Sequence, residues 1–286
     1  MARKRISRTE TDKDYMRTVS EWKGTISRIG QRNILTDSYH RNPLEGHEFP
    51  DEKGPLMIYL MSSSPGLFNG DEEFISCRLT EGAQLFLTTP SPSELRPSPY
   101  DEESRQTQTF FLEPGSILEY LPELVIPFKD SNFRGTNSVY MSKGSQAIIS
   151  EIVTAGRIGR DEIFQYKKFS STFEVYWENK LQVWDCMNLD PASNLRGAGN
   201  FGEYTHVGTL WILSEQVTDE HLNYIQNTIL ADEGINCYGS ASLLQTNGLV
   251  IRLLGNSAQD LQNVIKKCWD HCRGELFQIR PFDIRI

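Results

Sequence analysis

From Trp22 onward the chain is broken into short apolar segments, none longer than nine residues, with turn-forming residues between them. The segments are "TISRIG", "GPLMIYLM", "EEFISCRLT", "AQLFLTT", "TQTFFLE", "SILEYL", "SVYMS", "QAIISEIV", "IFQYKKF", "FEVYW" and "LQVWDCM". They are rich in Ile, Val, Phe, Tyr and Trp, side chains that fit a pleated, half-buried surface. Gly, Pro, Asn, Asp and Ser punctuate them, and most are too short for a globular helix. This pattern predicts a mainly β fold. The last third differs. After the strand-like "VGTLWIL", Leu222, Ile225 and Ile229 recur at helical spacing with Thr218 as N-cap. "SASLL" and "LVIRLL" again read as strands. A second helix follows, with Ser257 as cap and Leu261, Val264, Ile265, Cys268 and Cys272 on one face. The expected organisation is a flexible terminus over 1–20, a β-rich body over 21–204, and a βαββα unit over 205–286 that packs on the body and contains two helices.

Composition narrows the function classes. Hydrophobic residues make up 38% of the chain, enough to close a core. A net charge of −9 argues against nucleic acid as the main partner, because phosphate neutralisation needs clustered Lys and Arg. The apolar run "PLMIYLM" is far below the ~20 residues that cross a bilayer, and no apolar run follows the charged N-terminus. Five cysteines without a C-x-x-C pair suit a reducing compartment. The expectation is a soluble, cytoplasmic protein with no membrane partner. Two Pro-rich polar stretches, residues 37–54 and 90–106, read as mobile loops.

Three motifs are decoys on their context. "GAGNFG" has dinucleotide-fingerprint spacing at Gly197, Gly199 and Gly202, but loop-like residues precede it and a strand follows. Cys268, His271 and Cys272 lie within about one helical turn and are candidate soft-metal ligands, yet both cysteines sit on the apolar face, where cysteine behaves as a small hydrophobe. His40 and His47 read as solvated loop histidines.

Side-chain parity is more informative. In "FEVYWENKLQVWD", Phe173, Val175 and Trp177 share a face, and a hairpin loop at Glu178–Lys180 brings Leu181, Val183 and Asp185 onto it. In "QAIISEIVT", Glu151 shares a face with Ala147, Ile149 and Val153, while Ile148 and Ile152 occupy the other. After the Asn69–Gly70 turn, Asp71 is in phase with Ile75, Cys77 and Leu79. Acids directed into a core need partners, water or a cation.

The stretch "EIVTAGRIGRDEIFQY" places Arg157 and Arg160 each directly after a glycine, with Asp161 and Glu162 following. "SSSPGLFNGD", "GAQLFLTTPSPSELR", "LEYLPELVIPF" and "EIVTAGRIGRDE" occur in that order, and together they resemble the urease accessory protein UreD family, called UreH in some organisms. "VIRLLGNSAQDLQNVIKKCWDHCR" resembles that family's ending, so the likeness runs from about Gly24 to Arg280; the tail "RPFDIRI" and the proline-rich "SPSELRPSP" depart from it. The resemblance implies a superhelical stack of β-sheets with few helices and a non-enzymatic scaffold. It implies binding to the urease apoprotein and to UreF, and recruitment through UreF of the nickel-carrying GTPase UreG. It also implies an interior route for transient nickel(II), with no tightly bound cofactor. Asp71, Ser93, Glu151 and Asp185 then mark the nickel path. Gly156 and Gly159 permit a tight bend, and Arg157 ties it together with Glu162 as partner. A β-rich hydrolase using two of Asp71, Glu151 and Asp185, and an adaptor with a dry interior, remain the alternatives.

Overall fold

The computed structural model describes residues 17–49, 54–97, 102–197 and 199–280. In chain order its strands are β1 (Val19–Ile29), β2 (Arg32–Arg41), β3 (Leu44–Phe49), β4 (Leu56–Ser62), β5 (Leu67–Phe68), β6 (Glu72–Leu79), β7 (Gln84–Thr88), β8 (Ser93–Arg96), β9 (Ser104–Leu112), β10 (Ile117–Tyr120), β11 (Val125–Pro127), β12 (Asn132–Met141), β13 (Gln146–Thr154), β14 (Gly156–Arg157), β15 (Glu162–Ile163), β16 (Lys168–Trp177), β17 (Lys180–Leu189), β18 (His206–Leu213), β19 (Cys237–Leu243) and β20 (Gly248–Gly255). Helix α1 (Asp219–Tyr224) lies between β18 and β19 and runs on into a π-turn over Ile225–Ile229; α2 (Ala258–Cys272) follows β20.

Two large sheets face each other. The first has the order β17-β16-β12-β9-β6-β1-β2, and its five central strands are parallel. The second has the main order β19-β20-β18-β13-β10-β7-β4-β3, with β4, β7, β10 and β13 parallel. The chain visits them alternately, from β6 to β7, β9 to β10 and β12 to β13, while β5, β8 and β11 form a narrow side ladder. The result is a β-solenoid-like stack of about four turns, mainly β with two helices near the C-terminus.

One corner recurs along the stack. Gly82, Gly115 and Gly144 each turn the chain between the sheets with φ of 68°, 68° and 73°, a left-handed conformation that glycine adopts without steric cost. At the second and third corners Ser116 and Ser145 donate from N–H and hydroxyl to the carbonyls of Glu113 and Ser142, at 3.1 and 2.7 Å in both cases. Neighbouring turns are then in register, and like residues stack. On the outer face the rings of Phe111, Tyr140 and Tyr176 lie 5.1 and 4.9 Å apart and near parallel, close to the spacing of adjacent strands.

Strand β13 is buried on both faces, which resolves its ambiguous parity. Ala147 and Ile149 join the core between the sheets, with Trp22, Phe110, Phe173 and Trp211. Ile148 and Ile152 join a second core beneath α2, with Leu261, Val264, Cys268 and Trp269. Strand β18 pairs antiparallel with β13, so the strands of the last third extend the sheet of the body. Ser257 caps α2, its hydroxyl oxygen accepting from Asp260 N–H at 3.3 Å.

Several local expectations change. Residues 37–49 are not a loop: β2 and β3 occupy most of them, because β2 pairs with β1 and β3 with β4. Within 90–106, Ser93–Arg96 forms β8 and β9 begins at Ser104. "IFQYKKF" is largely a bend, with Phe164 at φ 53°. The turn between β16 and β17 is the two residues Glu178 and Asn179, with φ of 48° and 61°, which matches the right-handed twist of paired strands. Residues 1–16 and the tail from 281 lie outside the described residues, and β1 already begins at Val19.

An ionic contact fastens α2 to the second sheet. Glu119 on β10 and Arg273, just past α2, are both fully buried, with Arg273 Nε 3.2 Å from Glu119 Oε1. Trp269 Nε1 donates to the same oxygen at 2.7 Å. Removing the Glu119 carboxylate takes one buried charged partner from Arg273 and Trp269, at a cost of about 1.5–3 kcal/mol. We therefore expect Glu119→Ala to lower stability to chemical denaturant by about that amount. An unchanged denaturation midpoint contradicts the role of this contact.

Candidate functional site

Between the two sheets lies a cavity of about 330 Å³. Its lining includes the exposed Thr18, Ser62 and Ser91, the half-buried Glu151 and the buried Ser171 and Trp211. Three of the four residues on the expected path, Asp71, Ser93 and Glu151, line this one space. They come from different strands or strand ends, brought together by the stacking of the turns.

Glu151 projects from β13 towards the first sheet. Ser171 Oγ on β16 donates to Glu151 Oε1 at 2.6 Å. Burial raises its carboxyl to about 7 against the pull of that hydrogen bond, and Asp185 adds repulsion while Arg252 opposes it. Asp71 is held differently. Its Oδ1 accepts from Thr18 N–H at 2.8 Å and its Oδ2 from Phe68 N–H at 2.9 Å. Both oxygens therefore fasten the start of β6 as well as facing the cavity.

Asp185 does not line the cavity. It lies opposite Phe173 in the β16–β17 ladder, as the parity requires, and accepts from Arg252 on β20 at 2.5 Å. This contact bridges the two sheets at their edges. Gln182 and Thr246 join the same edges, with a hydroxyl-to-carbonyl hydrogen bond of 2.6 Å.

The residues that sequence reading missed are Glu73, Gln106, Gln108 and Tyr120, which line the same cavity. Gln106 Nε2 donates to Glu73 Oε1 at 2.8 Å, and Gln108 Nε2 donates to Gln106 Oε1 at 2.7 Å. Burial raises the Glu73 carboxyl, Gln106 and Ser20 lower it, and Asp71 raises it further. The signal was available, because Glu73 has the same parity as Asp71, Ile75, Cys77 and Leu79.

The "GRIGRDE" stretch forms a small separate hairpin. Gly156 pairs with Ile163 and Arg157 with Glu162. Arg157 Nε donates to Glu162 Oε2 at 2.7 Å, its terminal nitrogen reaches Oε1, and its guanidinium lies 4.2 Å from the centre of the Phe128 ring. Gly156 has φ of 133°, and a Cβ there would fall 1.9 Å from the Glu162 carbonyl oxygen. Gly159 carries no such constraint: nothing lies within 4 Å of its Cβ position, and the left-handed residue of this turn is Asp161, at φ 57°. The bend therefore depends on Gly156, not on both glycines.

The metal candidates on α2 diverge. Cys268 and Cys272 are fully buried in the second core, whereas His271 stacks on Tyr224 with ring centres 3.9 Å apart. Burial raises the Cys268 thiol and pushes that of Cys272 up to about 12, away from the thiolate that metals bind. Among the described residues no three His, Cys, Asp or Glu side chains converge to hold a metal. The Gly197–Gly202 loop leads into strand β18, not into a helix.

A family model described as UreD urease accessory protein matches residues 23–286. The chain belongs to the UreD urease accessory protein family. Among its relatives, the urease accessory protein UreD of Lachnoclostridium phytofermentans is 31% identical over 78% of this chain and 81% of its own length. That of Acetivibrio thermocellus is 31% identical over 82% and 90%, and that of Bacillus cereus 28% over 80% and 84%. Membership supports a role in urease maturation. No helix among the described residues is long and apolar enough to cross a membrane.

Two tests follow for this UreD-family chain. A carboxyl at 4.5 when unfolded and about 7 when folded keeps a proton in the native state that the unfolded state has lost. Its contribution to stability therefore falls as pH rises through that window. Glu151→Gln retains an acceptor for Ser171, so we expect the variant to lose less stability than the parent between those pH values. Equal slopes in denaturant titrations contradict the assignment. At the hairpin, Gly156→Ala is expected to cost more than about 1 kcal/mol, because the left-handed backbone and the Glu162 carbonyl both oppose a side chain. Gly159→Ala should change the melting temperature little; a larger loss there than at Gly156 reverses the reading.

Proposed function

We propose that this chain is a non-catalytic urease maturation factor that binds the urease apoprotein and UreF, recruits UreG through UreF, and passes nickel(II) through its interior to the urease site. The supporting observation is the cavity between the sheets, lined by Asp71, Ser93 and Glu151. Oxygen donors suit passage. Nickel(II) accepts carboxylate and water but is held more tightly by imidazole and thiolate. An ion that must leave again needs several weak stations, as in channels. Glu151 contributes one such station. Asp185 contributes a second at the sheet edge, where Arg252 competes with the ion for its charge.

The scaffold role rests on family membership, and the solenoid-like stack supports it physically. Regular in-register turns give a rigid body on which several partners can be held at fixed separation.

The test is co-expression with the urease subunits, UreF and UreG, followed by pull-down of the complex and measurement of nickel per urease. Glu151→Ala and Asp185→Ala are expected to leave the complex intact while lowering bound nickel and urease activity severalfold. If nickel falls only in step with lost complex, or does not fall with Glu151→Ala, passage through the cavity is wrong; an unchanged nickel content with Asp185→Ala alone removes Asp185, which lies outside the cavity, from the path. Asp71→Ala is the weaker probe, because it also releases two backbone N–H groups.

A further inference from the structure

The side ladder of β5, β8 and β11 lines the cavity with Leu67, Ser93, Glu94, Leu95 and Val125. Its attachment to the large sheets is slight. Among the described residues its strand pairing with them is a single residue pair, Val125 with Val153 on β13. By contrast, β13 pairs with β18 all the way from Ala147 to Thr154. A segment with few backbone hydrogen bonds to its neighbours is one that opens locally before the rest of the fold.

Side chains make up for the missing ladder. Strand β13 leads through Ala155 straight into the hairpin of β14 and β15, which carries Arg157. Glu162 grips the Arg157 fork and also accepts from Lys129 N–H at 3.4 Å. The Arg157 guanidinium lies 4.2 Å from the centre of the Phe128 ring, and that of Arg96, on β8, lies 4.9 Å from the same centre. Phe128 directly follows β11, is 7% exposed, and donates its N–H to the Leu95 carbonyl at 2.9 Å. Arg96 donates from Nε to the Pro65 carbonyl at 2.8 Å and pairs with Glu94. One ring therefore joins two guanidiniums, the first on the extension of β13 and the second on the ladder. The attraction of a cation to a ring face strengthens as water is excluded from it.

We infer that Arg157, Phe128 and Arg96 form a clamp that holds the side ladder against β13 and so sets the position of the cavity wall at Ser93 and Glu94. Arg157 is a positioning residue that acts through Phe128. Arginine suits the place because its planar fork can hold Glu162 by two hydrogen bonds and cover a ring at once, which a lysine ammonium cannot. The consequence for nickel rests on the passage reading above: a loosened wall carries Ser93 away from Asp71 and Glu151. The clamp itself does not depend on that reading.

The experiment measures amide hydrogen exchange and nickel per urease on the full chain in the co-expressed complex. Phe128→Leu removes the ring and keeps an apolar side chain, Arg157→Lys keeps the charge and removes the fork, and Phe128→Tyr keeps the ring. With the first two, peptides covering 93–96 and 125–128 are expected to exchange roughly tenfold faster, while those covering 147–153 keep the parent rate. Nickel per urease is expected to fall severalfold with the pull-down of UreF and urease unchanged, and Phe128→Tyr is expected to match the parent in both measurements. If Phe128→Leu yields no soluble complex, Arg157→Lys carries the test. Unchanged exchange in the ladder overturns the clamp, whatever the nickel content. Exchange that rises equally in the ladder and in β13 makes these residues general stabilisers and also overturns it. Faster ladder exchange with normal nickel, alongside impaired loading with Glu151→Ala, leaves the clamp standing and removes its effect on passage. Faster ladder exchange with normal nickel in Glu151→Ala as well supports the clamp and overturns the passage.

Discussion

The structure depends on in-register parallel pairing of successive turns. Strands β6, β9, β12 and β16 pair without a register shift between them. Side chains alternate faces along each strand, so a single slip would exchange inner and outer residues. The repeated left-handed glycine corner keeps the phase by turning the chain at the same place each time. Register then makes rows out of residues that are far apart in sequence. The outer face gains the Phe111–Tyr140–Tyr176 stack. The inner face gains an apolar block and, next to it, a polar row in which Ser20 pairs with Glu73, Glu73 with Gln106, Gln106 with Gly135 and Gly135 with Ser171.

That polar row lies where a charge is expensive. A carboxylate moved from water to a protein interior loses hydration that only close partners replace. The chain meets this cost in graded ways. Asp71 is held by two backbone N–H groups, Glu73 by Gln106, Glu151 by a single hydroxyl, and Asp185 by Arg252. Asp71 and Asp185 thus have strong partners, while Glu73 and Glu151 have neutral ones and are shifted upward. Of the four, the least compensated carboxylates are Glu73 and Glu151, both of which line the cavity.

Much of this architecture was legible in the sequence, since short β-branched and aromatic segments between turn residues have few alternatives. Of the two C-terminal helices, α2 was plain from its 3.6-residue period and its Ser257 cap, whereas α1 is six residues long and Ile225 and Ile229 of its expected face lie in the π-turn that follows. Parity correctly placed Asp185 beside Phe173 and Glu151 beside Ile149, because alternation is a local property of a strand. What parity could not supply was the partner strand. Residues 37–49 looked like loop because their polar, proline-containing composition hid two edge strands, whose outward faces meet no core. Arg252 and Asp185 are 67 residues apart and meet only through the sheet stacking. The solenoid itself had a faint signature in "EGAQLFL", "PGSILEY" and "KGSQAII", whose glycines recur 33 and 29 residues apart. Each of these is a glycine corner followed by a strand of the second sheet. Such a period becomes informative only when the corner is known to be left-handed.

Strand β13 links the cavity to the C-terminal part of the chain. Its Ile148 and Ile152 face the core beneath α2, while Glu151 faces the cavity. Neighbouring residues on one strand cannot move independently, so the packing of α2 fixes the direction of Glu151. The Glu119–Arg273–Trp269 contact holds α2 on that sheet two strands from the β18 pairing, through β10. A buried ionic contact is a weak source of net stability but a strict one in geometry, because only one arrangement satisfies it. Its place beneath α2 therefore makes sense as a positional device. It holds the helix, the helix holds β13, and β13 presents a carboxylate that must stay within reach of Ser171 for the polar row to be continuous.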